Sequence, residues 1–266
     1  MRPEEQYIQI NKQAWNKRTK LHVKSDFYKY DEFVAGANSL TEIELGILGD
    51  ITSKRILHLQ CHFGQDSISL ARLGAHVTGV DLSDEAIKQA DILNEKCGTD
   101  VNFICCDLYD LPQHLEGKYD IVFTSYGTIG WLPDLEKWAS VVSQYLNTGG
   151  ELLIVDFHPV VWMYDNDLTA PTYSYFNGDA IVEEEQGSYA DPNSSETLTS
   201  VCWNHSTTSV INNTIKHGLQ VKAFNEYDFT PYDIFPGGIE VGKRRFQVEK
   251  WKGILPLVFA LHSVKV

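Results

Sequence analysis

No apolar run in this 266-residue sequence approaches the ~20 residues that a membrane-spanning helix needs, and the opening stretch Met1–Trp15 has no apolar segment of the kind that directs secretion. The expectation is a cytoplasmic protein with no membrane partner. Cysteine is scarce. Cys61, Cys97, Cys105, Cys106 and Cys202 are odd in number and fit neither a disulfide framework nor a CxxC zinc pattern. Buried, reduced thiols are expected, with adjacent Cys105 and Cys106 pointing to opposite faces of a strand. Basic residues are also short: 22 Lys and Arg stand against 36 Asp and Glu, a formal charge of −14. Proteins that neutralise nucleic-acid phosphates show the opposite balance, so no nucleic-acid partner is expected. The basic triplet 243–245 reads as a solvated loop. Internal repeats and low-complexity linkers are absent. "HLQCH" (58–62) holds one cysteine before its histidine where haem attachment needs two, and no second segment offers converging zinc ligands. The expected metal is none.

What is present is a rhythm that begins at residue 55. "RILHLQ", "HVTGVD", "VNFICCD", "YDIVFTS" and "ELLIVDF" are five strand-like runs, separated by "DSISLARLG", a helix from Ser83 to near Gly98, and "LEKWASVVSQYL". Strands alternating with helices of this length imply βαβ units on a mostly parallel sheet covered on both faces, α/β in class, with ligands bound at the C-terminal strand edge. After "TSVINNTIKHG", a helix closed by Gly218, "LQVKAFNEY" and "LPLVFALHSVKV" read as a sixth and a seventh strand. Residues 158–204 break the rhythm with an aromatic, acidic, turn-rich stretch, read as an inserted lid or antiparallel excursion. The organisation predicted is one domain over 1–266: an N-terminal cap (1–50), a cofactor-binding core (51–157), the lid (158–204) and the rest of the core (205–266).

The turn after the first strand, "HLQCHFGQDS", decides the cofactor. A dinucleotide fold brings backbone against a pyrophosphate and needs glycines to do so. Here Gln60, His62 and Phe63 stand at such positions and only Gly64 is glycine. A nicotinamide or flavin dinucleotide is therefore disfavoured. Asp81 ends the second strand where a carboxylate accepts ribose hydroxyls, and Asp107 ends the third where an exocyclic amine would lie. A ribose and an adenine without a pyrophosphate suggest S-adenosylmethionine.

At this point the sequence resembles the class I, Rossmann-like, S-adenosylmethionine-dependent methyltransferases. The family's acidic residue and GxGxG turn fall on His58, Gln60, His62 and Gly64; Asp81 matches its ribose acid, Asp107 its adenine contact, and "LNTGGELLIVDF" its turn into the fifth strand. The fold implied is a doubly wound seven-stranded sheet, mostly parallel, whose last strand runs antiparallel beside the sixth. A narrower resemblance, carried by "NKQAWNKRTKLHV", "LQCHFGQDSISLARLGA", "GWLPDLEKWA", "GSYADP" and "WNHS", is to a bacterial methyltransferase subgroup with an LQCHxGxD first motif. It supplies no acceptor.

The resemblance implies that the cofactor's methionine part lies by Gln60, Cys61, His62 and Gly64. Its ribose would sit on Asp81 beside Leu82, its adenine near Cys106, Asp107 and Leu108, and its methyl group near Ser125, Tyr126 and Trp131. S-adenosylhomocysteine would be the product. Gln60's amide either holds the cofactor's ammonium group or turns away with His62, leaving only backbone in the pocket. Gly64 is required for close approach to the ligand or for a positive φ. Arg18 is a candidate for the cofactor carboxylate. Trp15, His22, Tyr28, Trp131 and His158 are candidate acceptor contacts. His158 and His205 are the candidate general bases, expected to converge on the acceptor, with Tyr126 beside the reacting methyl. The expected partner is a small, partly apolar acceptor; oligomeric state stays open. The rival readings are a methyltransferase-fold sensor without activity and, further off, a nicotinamide-dependent oxidoreductase.

Overall fold

The computed structural model describes residues 6–176 and 178–266. In chain order the cap contributes α1 (Tyr7–His22), α2 (Tyr30–Val34) and α3 (Glu42–Leu48). The core follows with β1 (Arg55–Leu59), α4 (Gln65–Arg72), β2 (His76–Asp81), α5 (Asp84–Cys97), β3 (Asn102–Cys105), β4 (Tyr119–Ser125), α6 (Leu135–Tyr145) and β5 (Leu146–Phe157). The inserted segment forms a hairpin, β6 (Ile181–Gln186) and β7 (Thr197–Cys202). The chain then runs through α7 (Thr207–Lys216), β8 (Leu219–Tyr227), a second hairpin β9 (Gly238–Gly242) and β10 (Arg245–Val248), and β11 (Val258–Lys265).

Seven strands form one sheet in the order β3-β2-β1-β4-β5-β11-β8, parallel except that β11 runs antiparallel to both β5 and β8. This is the doubly wound, Rossmann-like α/β architecture that the strand–helix rhythm predicts. Strand side chains alternate between two cores. Ile56, Ile121, Phe123, Leu153 and Val155 share one with Leu70 and Leu93 of α4 and α5, while Leu57, Val122, Leu152 and Ile154 share the other with Trp138 and Val142 of α6. Apolar residues on successive positions thus mark a sheet buried on both faces.

Local chemistry sets the helix starts. Ser83 Oγ accepts the Ala86 amide at 3.0 Å, Asp134 Oδ1 that of Lys137 at 3.0 Å, and Ser206 Oγ that of Ser209 at 3.1 Å. The first helix is unusual. Its buried residues include Asn11, Ala14, Arg18 and His22, spaced as one helical stripe, yet only one of them is apolar. A stripe of that kind faces polar partners, and α1 finds them in the lid.

Two expectations are corrected here. Residues 243–245 are only in part a solvated loop: Lys243 is exposed in the turn, but Arg244 donates to Leu40 O (3.1 Å) and Ser39 O (2.7 Å), and Arg245 Nε to Glu42 Oε1 (2.5 Å), so the β9–β10 hairpin is fastened to the cap. Of the cysteines only Cys61 and Cys106 are buried; Cys97 and Cys202 are half-buried and Cys105 is exposed. Among the described residues no helix is long and apolar enough to cross a membrane.

Candidate functional site

The order of strands reverses between β1 and β4, and at their C-terminal ends opens a cavity of about 1990 Å³. Ligand pockets usually hold ~300–1,000 Å³, so this one has room for two molecules side by side. One end is bounded by the turn 60–64, Asp81 and Asp107. The other is an aromatic chamber that includes Tyr126, Phe157, Trp162, Tyr232 and Phe235, and the lid forms much of its roof.

The glycine-poor turn keeps a glycine-like backbone. Gln60, His62 and Gly64 have φ of 55°, 51° and 84°. All three alternate positions are left-handed, a conformation that costs roughly 1–2 kcal/mol for a residue with a Cβ. The side chains that carry this strain are placed without blocking the cavity. Gln60 Nε2 donates to Thr128 O at 2.8 Å, leaving its buried Oε1 without a partner. His62 turns up into the cap, its ring 5.3 Å from Trp15, 5.1 Å from His22 and 5.5 Å from Tyr28. Gly64 has a further reason to be glycine: a Cβ there would come within 2.6 Å of the Phe103 ring, which also packs against Gly79. Packing beneath the turn demands this glycine.

Asp81 braces the turn from below. Its Oδ2 accepts the His62 amide at 2.8 Å and its Oδ1 the Ser83 amide at 2.8 Å. Burial pushes its pKa up to about 6, against the pull of those amides. Each oxygen keeps lone-pair capacity toward the cavity. Asp107 accepts the Tyr109 amide at 2.9 Å and is likewise raised, mainly by burial. Leu82, Cys106 and Leu108 line the wall between them.

The loop after β4 is held by a residue that sequence reasoning left unassigned. Asp156 on β5 accepts the amides of Thr128 (3.0 Å) and Ile129 (3.2 Å), the Thr128 hydroxyl (2.9 Å) and the Gly127 amide. Tyr126 is strained, with φ 41°, and its phenol points to Thr41 Oγ1 at 3.3 Å. Trp131 donates its indole N–H to Gly127 O at 2.7 Å and lies edge-on to Trp15. Arg18, 4% exposed, completes a triangle with these two indoles, its guanidinium 5.3 and 5.4 Å from the ring centroids. Its Nη2 lies 3.5 Å from Glu185 Oε2 of the lid, and its buried Nη1 has no partner. Arg18 is thus not a solvated helix charge.

Of the residues singled out from sequence, Trp15, Arg18, Tyr28, Gln60, Cys61, His62, Gly64, Asp81, Leu82, Cys106, Asp107, Leu108, Ser125, Tyr126, Trp131 and His205 all line this one cavity. His205 Nε2 lies 2.6 Å from Leu132 O. A carbonyl only accepts, so Nε2 carries the proton and Nδ1 the lone pair. Burial lowers its pKa, partly offset by that carbonyl.

Two candidates fall outside. His158 does not converge with His205: its ring packs toward Phe259 and its Nε2 lies 2.9 Å from Glu226 Oε1 on β8, because the chain leaving β5 is tied by His158 N to Leu257 O and turns the ring away from the cavity. His22 is fully buried behind the wall, bonded to Ser188 Oγ at 2.6 Å and stacked on Tyr28; it joins cap to lid and does not reach an acceptor.

The fold is that of the class I S-adenosylmethionine-dependent methyltransferases. Residues 56–150, the stretch that carries the 60–64 turn, Asp81 and Asp107, match the family model described as a methyltransferase domain. The chain is 30% identical over 100 residues to the ubiquinone biosynthesis O-methyltransferase of Chromobacterium violaceum, covering 38% of this chain and 43% of that one. It is 33% identical over 133 residues to an uncharacterized methyltransferase of Synechocystis, covering 49% and 60%. The chain therefore spans about half the length of these curated relatives. A solved S-adenosylmethionine-dependent methyltransferase from Mesorhizobium loti superposes with a TM-score of 0.58 at 17% identity, over 87% of this chain and 100% of that one.

Proposed function

We propose that the chain is an S-adenosylmethionine-dependent methyltransferase acting on a small, partly apolar acceptor. The observation that carries this reading is the run of left-handed positions 60, 62 and 64 opening onto a cavity that places Asp81 and Asp107 at one end and an aromatic chamber at the other. The relative from Chromobacterium, named as an O-methyltransferase of ubiquinone biosynthesis, supports a small-molecule acceptor. We also place the chain with the bacterial subgroup that carries the LQCHxGxD turn.

The residues present suit the cofactor. Asp81 accepts the ribose hydroxyls, and Asp107 with the main chain of Cys106 and Leu108 receives the adenine. The unpartnered Gln60 Oε1 accepts from the ammonium group, and the unpartnered Arg18 Nη1 donates to the carboxylate. When bound, the cofactor would supply an electrophilic methyl carbon on a sulfonium, to which an acceptor lone pair could bond in line as the C–S bond breaks and the neutral thioether leaves. Tyr126 and Trp131 bound the place where donor and acceptor meet. The cap and lid exclude water, which strengthens alignment of the nucleophile. Where the acceptor nucleophile is a hydroxyl, its proton passes to His205 Nδ1, the tautomer that Leu132 O holds open.

Isothermal titration with S-adenosylmethionine and S-adenosylhomocysteine, with a nicotinamide dinucleotide as control, tests the reading. Micromolar binding of the first two alone is expected, followed by release of S-adenosylhomocysteine in a screen of small phenols and amines. Absence of binding would favour the sensor reading, and methylation of only tRNA or protein would overturn the acceptor class.

A further inference from the structure

The turn has lost the strand-borne acid. At its place His58, 2% exposed, bonds Ser67 Oγ at 2.7 Å, and burial lowers its pKa to about 4, so it is neutral. A cofactor that brings both a sulfonium and an ammonium to this end of the cavity still requires a negative charge beside it. The nearby carboxylates are committed: Asp81 and Asp107 stand at the nucleoside end, and Asp156 is filled by the amides of the β4 loop. One remains. Asp66, in the first turn of α4, is half-buried and lines the cavity. Its Oδ2 accepts the Ser125 hydroxyl at 2.9 Å, and its Oδ1 makes no hydrogen bond among the described residues.

We infer that Asp66 is the displaced acid of this site and that its Oδ1, with Gln60 Oε1, receives the ammonium group of the cofactor's methionine tail. The inference rests on the methyltransferase reading and deepens it. Helix N-termini favour acids for dipole reasons alone, but that effect needs neither the cavity exposure nor the unpartnered acceptor on Gln60. Its bond to Ser125 at the end of β4 and its place in the first turn of α4, directly after the turn 60–64, set it beside Gln60.

The test compares two probes on the wild type and Asp66→Asn, which keeps shape and the Ser125 contact. S-adenosylhomocysteine carries the amino-acid tail; 5′-methylthioadenosine lacks it. Asp66→Asn is expected to weaken the first roughly 10- to 100-fold, the loss of one charge-assisted hydrogen bond, and to leave the second unchanged. Unchanged affinity for S-adenosylhomocysteine would overturn the inference. Equal weakening of both probes would do so too, since Asp66 would then only shape the helix. A wild-type protein that binds neither would instead sink the cofactor reading.

Discussion

Asn11 pairs with the main chain of Val201 through both ends of its amide: Nδ2 donates to Val201 O and Oδ1 accepts Val201 N–H, each at 2.8 Å. One side chain on α1 thereby completes the open edge of the lid hairpin, as a neighbouring strand would. Lys17 with Glu196, His22 with Ser188 and Tyr28 with Tyr189 extend the seam, so cap and lid behave as one cover.

Replacing Asn11 with Ala strips two buried backbone groups of their partners. A loss of stability of about 1–3 kcal/mol is expected, together with faster amide exchange across 181–202 and unchanged exchange in β1 and β4. Hydrogen-exchange mass spectrometry separates these. Uniform exchange across the chain would deny the seam its local role.

As the proposed ribose acid, Asp81 is expected to link cofactor affinity to pH. Its folded pKa, about 6, lies above the ordinary 3.8, so the protonated carboxyl favours the fold. That contribution to stability is complete below pH 3.8 and is lost as pH rises through 6. Ribose binding runs the other way because it uses the ionised form. S-adenosylhomocysteine affinity should fall as pH drops below about 6. Asp81→Asn should be about 10- to 100-fold weaker at neutral pH and nearly pH-independent. Calorimetry between pH 5 and 8 checks both.

Gln60→Gly separates strain from binding. Relief of a left-handed Cβ offsets the added freedom of glycine in the unfolded chain, roughly 1 kcal/mol each way. The thermal midpoint should fall only by the loss of the Nε2–Thr128 O bond, about 1 kcal/mol, while affinity for the cofactor falls, since the Oε1 acceptor is gone. A large drop in midpoint with affinity intact would reverse the assignment.

His205→Ala is expected to lower turnover of a hydroxyl acceptor by about 100-fold or more while sparing cofactor affinity. Burial holds the His205 pKa below the ordinary 6.5, so the wild-type rate should stay level through neutrality and decline only on its acid side. Turnover followed by S-adenosylhomocysteine release gives the profile.

The sheet was legible because its apolar runs and helix caps repeat a single physical pattern, and the turn was legible because it sits where that pattern meets a helix. Other features were not. His158 was placed by its nearness to a strand end, but once a strand stops, alternation no longer says which way a side chain turns; a main-chain bond to Leu257 decided it. The hairpin 238–248 was missed because its strands are short, glycine-bounded and charged, so nothing alternates long enough to read. Asp66 escaped notice because an acid in a first helical turn is ordinary until the cavity beside it is known. The side-chain directions of Gln60 and His62 also depend on partners far away in sequence.

The placement of β11 bears on how this chain must be made. β5, buried along most of its length, finds its second partner only after the lid, α7, β8 and the other hairpin have been synthesised. Until Val258–Lys265 leaves the ribosome, the growing chain carries a long apolar strand with one side unpaired, the kind of edge on which nascent chains stick to each other. The closing of that edge is thus the last event that the sequence order allows, and conditions that delay it should cost yield through association of unfinished chains.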